Sequence, residues 1–333
     1  MTGSGVGARL RSTAEAPMGR IALVTGGAGF VGGHLAERLV ADGWTVRALD
    51  VREPHLDAPV EWMEADVRDG DAVRRAASGV RAVFHLATVV GVDRLLDDPV
   101  DAVDVTVNGT RHALEAAAAE RAALIHLSTS EVLGSNPDLP WAEDADRRLG
   151  SALVDRWSYA AAKAAAEHVV LAGASRRGVP ATIIRPFNVY GPRQEPRFVV
   201  PIMVGAALRG EPIPVHDDGR QTRCFTYVSD VVEALVLAGE KPGLGRLFHV
   251  GTTEEISMLD LAELVAQLAG GTGGIRFERP ADRWGDDYED IPRRVPDSSS
   301  ALTILGWRPT VALRDGLSTT IDWYRAHRAD LPG

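Results

Sequence analysis

The sequence predicts an α/β protein in which a doubly wound parallel sheet precedes a smaller, mixed α/β C-terminal region. Short, mostly apolar segments alternate with amphipathic helical segments from Arg20 to Pro186, a pattern that indicates parallel strands with helices on both faces. Beyond Pro186, proline- and glycine-rich stretches break this alternation. A glycine-rich turn directly after the first apolar segment is the third observation, because such a turn opens sheets of the Rossmann type.

The individual elements follow from the same patterns, in chain order. Strands are predicted at 21–25, 45–50, 60–66, 80–86, 123–129 and 181–185, and helices at 33–42, 69–77, 102–120, 157–173, 199–209, 228–238, 259–269 and 313–327. We predict a flexible leader at 1–19, a Rossmann domain at 20–187 plus 222–252, and a substrate-binding domain at 188–221 plus 253–333. Ligands of open α/β sheets bind at the carboxyl ends of the strands, so the second domain is expected to cover that edge.

Composition narrows the class of protein. The chain has 333 residues and a formal net charge of −10, which argues against a nucleic-acid partner. The single cysteine, Cys224, permits neither an internal disulfide nor a cysteine-based zinc site, so a cytoplasmic location and a site without metal are expected. No apolar run reaches 18 residues, so no membrane span is predicted, and residues 1–19 lack the apolar core of a signal peptide.

Residues 26–32, Gly-Gly-Ala-Gly-Phe-Val-Gly, have the spacing of a dinucleotide-binding turn. Gly26 permits the tight turn, Gly29 lets the backbone approach a pyrophosphate, and Gly32 permits close packing of helix on strand. Phe30 and Val31 lie within the turn, and the helix that follows it would present its N-terminus to that pyrophosphate. The turn therefore predicts a dinucleotide cofactor.

Further cofactor contacts are expected where other strands end at the same edge. The carboxylate of Asp50, at the end of the second strand, can accept both ribose hydroxyls and would repel a 2′-phosphate, so NAD is predicted rather than NADP. The other predicted contacts are Asp66 and Val67 for the adenine, Leu86 and Ala87 near the nicotinamide ribose, Pro186 after the sixth strand, and Tyr159 and Lys163, which are described below. Asp66 is equally suited to cap the following helix, and His85 is interpreted as a core histidine.

Tyr159 and Lys163 lie four residues apart on a predicted helix, so their side chains share one face. A free phenol has a pKa of about 10 and is almost wholly protonated at neutral pH. A neighbouring ammonium and a nicotinamide cation both favour the phenolate, which would make Tyr159 a base for a sugar hydroxyl. The chain has only two lysines, Lys163 and Lys241, and one of them has this spacing.

A polar turn at 128–131 follows the fifth strand. The hydroxyl of Thr129 can share a hydrogen bond with the substrate oxygen that Tyr159 deprotonates, and Ser130 belongs to the same candidate catalytic set. Glu131 could act as an acid or base at an adjoining carbon, or it could cap the turn.

Together these motifs resemble the extended short-chain dehydrogenase/reductase superfamily, in its branch of nucleotide-sugar epimerases, dehydratases and decarboxylases. The matching segments are 25–32, 85–87, 128–134, 159–163, 185–192 and 223–230, together with Asp50. The resemblance runs from about residue 20 to the C-terminus. It implies a tightly held NAD⁺ that takes a hydride from the sugar C4 and usually returns it.

Within this branch, residues 129–132 (Thr-Ser-Glu-Val) resemble the turn of UDP-glucuronate decarboxylases, whereas dTDP-glucose 4,6-dehydratases usually have Asp in place of Ser130. GDP-mannose dehydratases share Thr-Ser-Glu, so the turn leaves that alternative open. Residues 219–230 and 290–297 also resemble segments of the decarboxylases. Arg223 and Arg294 would then clamp the pyrophosphate or the sugar carboxylate, because guanidinium groups match such oxygens. Asn188 would bind a substrate phosphate or hold its own loop.

Three positions depart from the usual pattern of the family. Leu133 stands where Tyr is common, which could reshape the sugar pocket. Thr106 replaces an Asn whose amide can bridge strand and helix backbones, and Thr88, a candidate substrate-binding residue, replaces a frequent Ala.

The motifs and the resemblance predict an NAD-dependent UDP-glucuronate decarboxylase. C4 would be oxidised, CO₂ would leave the resulting β-keto acid, and UDP-4-keto-pentose, UDP-xylose or both would be released. A UDP-glucose or UDP-glucuronate 4-epimerase is the first alternative, and an NDP-sugar 4,6-dehydratase the second. A dinucleotide-sensing regulatory protein would not need Tyr159, Lys163 and Thr129 together. Helices 102–120 and 157–173 are rich in alanine, and the resemblance implies that they pair in a four-helix bundle of a homodimer.

Overall fold

The computed structural model describes residues 19–91, 97–241, 245–284 and 289–327. The main sheet contains β1 (Ile21–Thr25), β2 (Thr45–Asp50), β3 (Glu61–Glu64), β4 (Ala82–His85), β5 (Ala123–Leu127), β6 (Ala181–Pro186) and β11 (Arg246–Val250). The small sheets contain β7 (Val189–Tyr190), β8 (Ile213–His216), β9 (Thr222–Cys224), β10 (Thr226–Tyr227), β12 (Glu255–Ser257), β13 (Ile275–Glu278) and β14 (Arg293–Arg294). The α-helices are α1 (Phe30–Ala41), α2 (Gly70–Ala76), α3 (Pro99–Glu120), α4 (Trp157–Arg177), α5 (Val199–Arg209), α6 (Val228–Glu240), α7 (Met258–Ala269), α8 (Ala281–Trp284) and α9 (Leu313–Ala326). A 3₁₀ helix at Ser130–Leu133 follows β5, and a π-helical turn occupies Ala301–Leu305.

The main sheet has seven strands in the order β3-β2-β1-β4-β5-β6-β11, and every neighbouring pair is parallel. This arrangement confirms the predicted α/β class and the doubly wound sheet. Strand β1 pairs with β2 on one side and with β4 on the other, so the chain changes direction across the sheet at β1. The carboxyl ends of the strands therefore form a crevice at this point, which is where open α/β sheets bind ligands.

Alternate residues of the central strands enter two separate cores. Ala22 and Val24 pack with α1 and α6 on one face, and Leu23 packs with α2, α3 and α4 on the other. In β4, Phe84 lies in the same core as Ala22 and Val24, and Val83 lies in the same core as Leu23. Because both faces are covered, the strands are apolar at successive positions rather than at every second one, which is why the sequence shows continuous apolar runs.

Several helices begin or end differently from the prediction. Helix α1 begins at Phe30 rather than at residue 33, directly after Gly29, which is the cap residue and has extended backbone angles. Helix α3 begins at Pro99 rather than at residue 102, because the carboxylate of Asp98 caps the chain ahead of a proline that favours the first helical position. Helix α4 extends past Gly173 to Arg177. Gly173 is a point of close approach and not a stop signal, since a Cβ there would lie 2.2 Å from Leu114 of α3.

The chain leaves the main sheet after β6 and returns to it at β11. Between these strands, β9 pairs with β12 and β14, whereas β10 pairs with β7, so residues 222–227 lie in the small sheets although they were expected in the Rossmann domain. A separate apolar core joins α5, α7 and α9. The division into two domains stays a prediction. Within the described residues, no helix combines the length and the apolar character that a membrane crossing requires.

Candidate active site

The carboxyl edge of the main sheet borders a cavity of about 870 Å³. All the candidate residues named above line it: Gly26, Gly29, Phe30, Val31, Gly32, Asp50, Asp66, Val67, Leu86, Ala87, Thr88, Thr129, Ser130, Glu131, Tyr159, Lys163, Pro186, Asn188, Arg223 and Arg294. Residues that are far apart in the sequence thus meet in one place, although their individual roles stay predictions. Among the residues that the structure describes, no group of three His, Cys, Asp or Glu side chains is arranged to hold a metal ion.

The glycine turn fits a dinucleotide. Gly26 has φ +72°, and a Cβ at this position would lie 2.8 Å from the backbone nitrogen of Ala87. A Cβ at Gly32 would lie 2.0 Å from the carbonyl oxygen of Gly26, so turn and helix touch only because side chains are absent. Gly29 precedes α1 and supplies no side-chain cap, so the N–H groups of the first turn are left for a ligand. These features match the cradle that a pyrophosphate needs.

Two carboxylates lie near the ends of β2 and β3. The two carboxylate oxygens of Asp50 accept from the backbone N–H groups of Ala28 (3.0 Å) and Arg52 (3.1 Å), which ties β2 to the glycine turn. Asp66 is paired with Arg68 at 2.6 Å, and this guanidinium holds the pKa of the Asp66 carboxyl below its usual range. The cap of α2 is Asp69 and not Asp66, so the capping interpretation of Asp66 was wrong.

The side chains of Tyr159 and Thr129 both line the cavity, where Thr129 lowers the pKa of the Tyr159 phenol, and Lys163 lies one helical turn further along α4. The Lys163 ammonium donates to the carbonyl oxygen of Leu127 at 2.6 Å. Burial lowers the pKa of Lys163 to about 8, against the opposing charge of Glu167. The sequence-predicted set of Tyr159, Lys163 and Thr129 is therefore assembled at the ends of β5 and α4.

One electrostatic expectation is reversed. Burial raises the pKa of the Tyr159 phenol above its ordinary value, the charge of Glu131 raises it further, and the hydrogen bond with Thr129 opposes both effects. A lowered pKa had been expected from the ammonium of Lys163, but that ammonium is bonded to the Leu127 carbonyl. The residues of the site thus hold Tyr159 as a neutral phenol, and a further positive charge has to favour the phenolate.

Glu131 lies between guanidinium groups. Its carboxylate is paired with Arg294 and, at 3.4 Å, with Arg156. Burial alone would raise the pKa of Glu131, but the charges of Arg294 and Arg156 outweigh it, and the pKa is lowered. The hydroxyl of Thr129 accepts from the Glu131 backbone N–H and caps the 3₁₀ helix. The alternative role of Glu131 as the cap was therefore wrong, and its carboxylate is available as an ionised group.

Arg156 is a site residue that the sequence analysis missed. It is buried, lines the cavity and lies 3.8 Å from Asp290 as well as 3.4 Å from Glu131. Its guanidinium is centred 4.9 Å from the ring of Trp157. Its position three residues before Tyr159 was the available signal, because residues i and i+3 share a helix face.

Two predicted substrate contacts are already occupied by protein groups. Arg223 donates to both oxygens of Asp290, at 2.9 and 3.0 Å, and lies beside Arg294 in the paired strands β9 and β14. The side-chain amide of Asn188 donates to the carbonyl oxygen of Cys224 at 2.9 Å. Asn188 was expected either to bind a substrate phosphate or to hold its own loop, and this contact agrees with the second role.

The positions that depart from the family pattern have structural explanations. The hydroxyls of Thr88 and Thr106 are 2.9 Å apart and link the end of β4 to α3. Leu133 packs in a buried apolar cluster and does not line the cavity, so the expectation that it reshapes the sugar pocket was wrong. His85 is buried and bonded to the hydroxyls of Thr25 and Thr110, which agrees with its interpretation as a core histidine.

Comparison with known proteins gives consistent matches over nearly the whole chain. Residues 22–251 match the family described as "NAD dependent epimerase/dehydratase family". A UDP-N-acetyl-α-D-glucosaminuronate decarboxylase of Bacillus cytotoxicus is 35% identical, covering 91% of this chain and 97% of the relative. A UDP-glucose 4-epimerase of Mycolicibacterium smegmatis is also 35% identical, covering 91% and 98%. The solved structure of MoeE5 in complex with UDP-glucuronic acid and NAD has a TM-score of 0.83 and 31% identity, covering 92% of this chain and 99% of its own.

Proposed function

The chain belongs to the NAD dependent epimerase/dehydratase family, and we propose that within it the protein is a decarboxylase of UDP-glucuronate. Membership of this family makes the protein an NAD-dependent enzyme, which confirms the predicted cofactor. A decarboxylase and an epimerase are equally similar in sequence, so overall identity does not separate the two reactions. Particular residues of the site therefore have to distinguish a decarboxylase from an epimerase.

The observation that carries the proposal is the ionised Glu131 beside Tyr159, between Arg294 and Arg156. An epimerase needs the set of Tyr159, Thr129 and Lys163 to remove and return a hydride at C4, but it needs no acid or base at C5. A decarboxylase must bind a carboxylate and then protonate C5. Guanidinium groups serve the first requirement, and an ionised carboxylate held close to them serves the second by orienting a water molecule that gives its proton to C5.

Oxidation at C4 is the first chemical step. When bound, NAD⁺ supplies a hydride acceptor for C4, a positive charge that favours the Tyr159 phenolate, and, once reduced, the hydride that returns to the ketone. Tyr159 takes the proton of the C4 hydroxyl, and Thr129 hydrogen-bonds the same oxygen. Lys163 supplies positive charge one helical turn from Tyr159.

Loss of CO₂ follows because the C6 carboxylate is then β to a ketone. The electrons of the C5–C6 bond pass to the C4 oxygen, where Tyr159 and Thr129 donate hydrogen bonds to the enolate. Glu131, with Arg294, orients the ring and a water molecule that protonates C5, and the hydroxide left behind combines with CO₂ to give bicarbonate. Reduction of the C4 ketone gives UDP-xylose, and early escape of the intermediate gives UDP-4-keto-pentose.

The first test is NMR of the purified protein with NAD⁺ and UDP-glucuronate labelled with ¹³C at C6. We expect labelled bicarbonate or CO₂, and the remaining sugar signals will identify the pentose. UDP-N-acetylglucosaminuronate bears the same carboxylate and is the second substrate to assay. A carboxyl carbon retained in a sugar with an inverted C4 would refute the proposal and establish a 4-epimerase. Conversion of dTDP-glucose to a 4-keto-6-deoxy sugar, without any loss of label from UDP-glucuronate, would establish a 4,6-dehydratase.

We also propose that two copies of the chain associate through α3 and α4. Val100 and Val103 lie one turn apart on α3 and are 78% and 39% exposed, so this helix presents apolar surface outside the core. Light scattering at micromolar concentration is expected to give twice the chain mass of 35.6 kDa. A Val103→Glu variant should shift the protein towards the single-chain mass, because an uncompensated charge opposes burial. Single-chain mass for the unaltered protein would exclude this dimer.

A further inference from the structure

A buried carboxylate lies one helical turn after Lys163, outside the cavity. Glu167 has no exposed surface, and its two carboxylate oxygens accept hydrogen bonds from Ser128, Arg185 and Arg147. We propose that Glu167 is a positioning residue of the active site: its carboxylate fixes the elements that carry Thr129 and Lys163 and places a negative charge one helical turn from the Lys163 ammonium. This holds for any reaction that uses Tyr159 and Lys163, so it is independent of the proposed substrate.

The hydrogen bonds of Glu167 join three elements that end at the cavity. The hydroxyl of Ser128, which directly precedes Thr129 after β5, donates to Oε1 of Glu167 at 2.5 Å. Arg185 in β6 donates to Oε1 through Nε and to Oε2 through Nη2, each at 2.7 Å. Glu167 itself lies in α4, the helix that carries Tyr159 and Lys163. One carboxylate therefore sets the position of β5, β6 and α4 relative to one another.

The guanidinium group of Arg147 is the second one that binds Glu167, and it lies near Lys163. Arg147 donates to Oε2 of Glu167 at 2.5 Å and to the carbonyl oxygen of Ala164 at 3.1 Å, next to Lys163 in the chain. Arg147 is about one-quarter exposed, whereas Arg185 and Glu167 are almost fully buried. Charge-assisted hydrogen bonds of this length are strong where water is excluded, so the network is expected to be rigid.

The groups that face Lys163 show where its stabilising charge comes from. His85 in β4 and His126 in β5 are buried, and burial together with the positive charge of Lys163 lowers the pKa of both, to about 3 for His85. Both rings are therefore neutral at pH 7 and supply no negative charge. Glu167 is the carboxylate whose charge opposes the burial of the ammonium. Without it, the same burial would favour a neutral amine.

The small number of lysines permits a direct measurement on the protein without cofactor. Protein grown with lysine ¹³C-labelled at Cε gives signals from Lys163 and Lys241 only. We expect the Lys163 signal to titrate with a midpoint at about pH 8, as its lowered pKa requires. In a Glu167→Gln variant, which keeps the size of the side chain but removes its charge, the midpoint should fall by about 1 pH unit. Lys241, whose ammonium donates to the Leu305 carbonyl, is the internal reference.

An Arg147→Gln variant provides a shift of opposite sign. Removing one positive charge from the network leaves Glu167 with Arg185, so the Lys163 midpoint should rise above that of the unaltered protein. Opposite shifts in the two variants distinguish an electrostatic role from general damage to the fold, which would move both midpoints towards the value of a free lysine. Arg147 is partly exposed, so this variant remains informative if Glu167→Gln folds poorly.

The rate of C4 oxidation is the second readout. We expect kcat to decline at alkaline pH as Lys163 loses its charge. The midpoint of this decline should lie at lower pH in Glu167→Gln and at higher pH in Arg147→Gln than in the unaltered protein. A Lys163 midpoint that is the same in all three proteins would overturn the proposal, as would shifts of the same sign in both variants. Shifted midpoints together with shifted pH profiles would establish it.

Discussion

The Tyr159→Phe variant is expected to lose about 10³-fold in kcat for oxidation at C4, because general acid–base groups contribute about 10²–10⁴-fold. Phe keeps the ring but removes the hydroxyl whose pKa is affected by Thr129. Binding of NAD should be nearly unchanged, since the glycine turn and Asp50 do not depend on this hydroxyl. Single-turnover formation of reduced cofactor after mixing with UDP-glucuronate measures the effect, and calorimetry measures the binding of NAD.

A matched control is Tyr227→Phe. Tyr227 lies outside the cavity lining, and Thr319 lowers the pKa of its hydroxyl. This variant should keep kcat within about twofold, since a typical neutral hydrogen bond contributes about 1 kcal/mol to stability and none to this chemistry. An unaltered rate in Tyr159→Phe would refute the role of Tyr159 as the base that takes the proton of the C4 hydroxyl.

Replacing Glu167 with Ala is expected to destabilise the fold by about 3–5 kcal/mol, because removing one partner of a buried ion pair leaves the other uncompensated. In this variant the guanidinium groups of Arg185, which is 3% exposed, and Arg147 would lose the carboxylate with which they are paired. Equilibrium unfolding in urea, followed by circular dichroism at pH 7, measures the change.

Glu211→Ala is the surface comparison. Glu211 is exposed and pairs with Arg209, so its loss should change the free energy of unfolding far less than the loss of Glu167 does. If the Glu167 and Glu211 variants were equally stable, the buried network would not contribute to stability in the way its geometry indicates. A large difference between them would assign that stability to the network.

The features predicted correctly from the sequence are those that depend only on residues close together in the chain. The glycine turn and Asp50 follow successive strands, and Tyr159 and Lys163 are one turn apart on a helix, so spacing alone brings each pair together. The parallel sheet was predictable because strands that are buried on both faces have a distinct composition. These local signals placed all the candidate residues at one cavity.

What the sequence did not reveal depends on contacts between distant segments. Glu167 is bonded to Arg147 and Arg185, and Arg223 to Asp290, yet nothing within ten residues of either carboxylate marks these pairings. The direction of the pKa change at Tyr159 was also wrong, because it depends on burial and on the charge of Glu131. Helix ends were misjudged where a glycine serves packing, as at Gly173, or where a cap lies upstream, as at Asp98.

The hydroxyl pair of Thr88 and Thr106 has a consequence for how this protein could change by mutation. The hydroxyls of Thr88 and Thr106 are hydrogen-bonded to each other between the end of β4 and α3. Replacing either residue alone therefore removes this bond and leaves the other hydroxyl, which is mostly buried, without its partner. Replacing both together removes the interaction without leaving an orphan. The two positions are therefore energetically coupled: the double replacement should change the free energy of unfolding by less than the sum of the two single replacements, although 18 residues separate them.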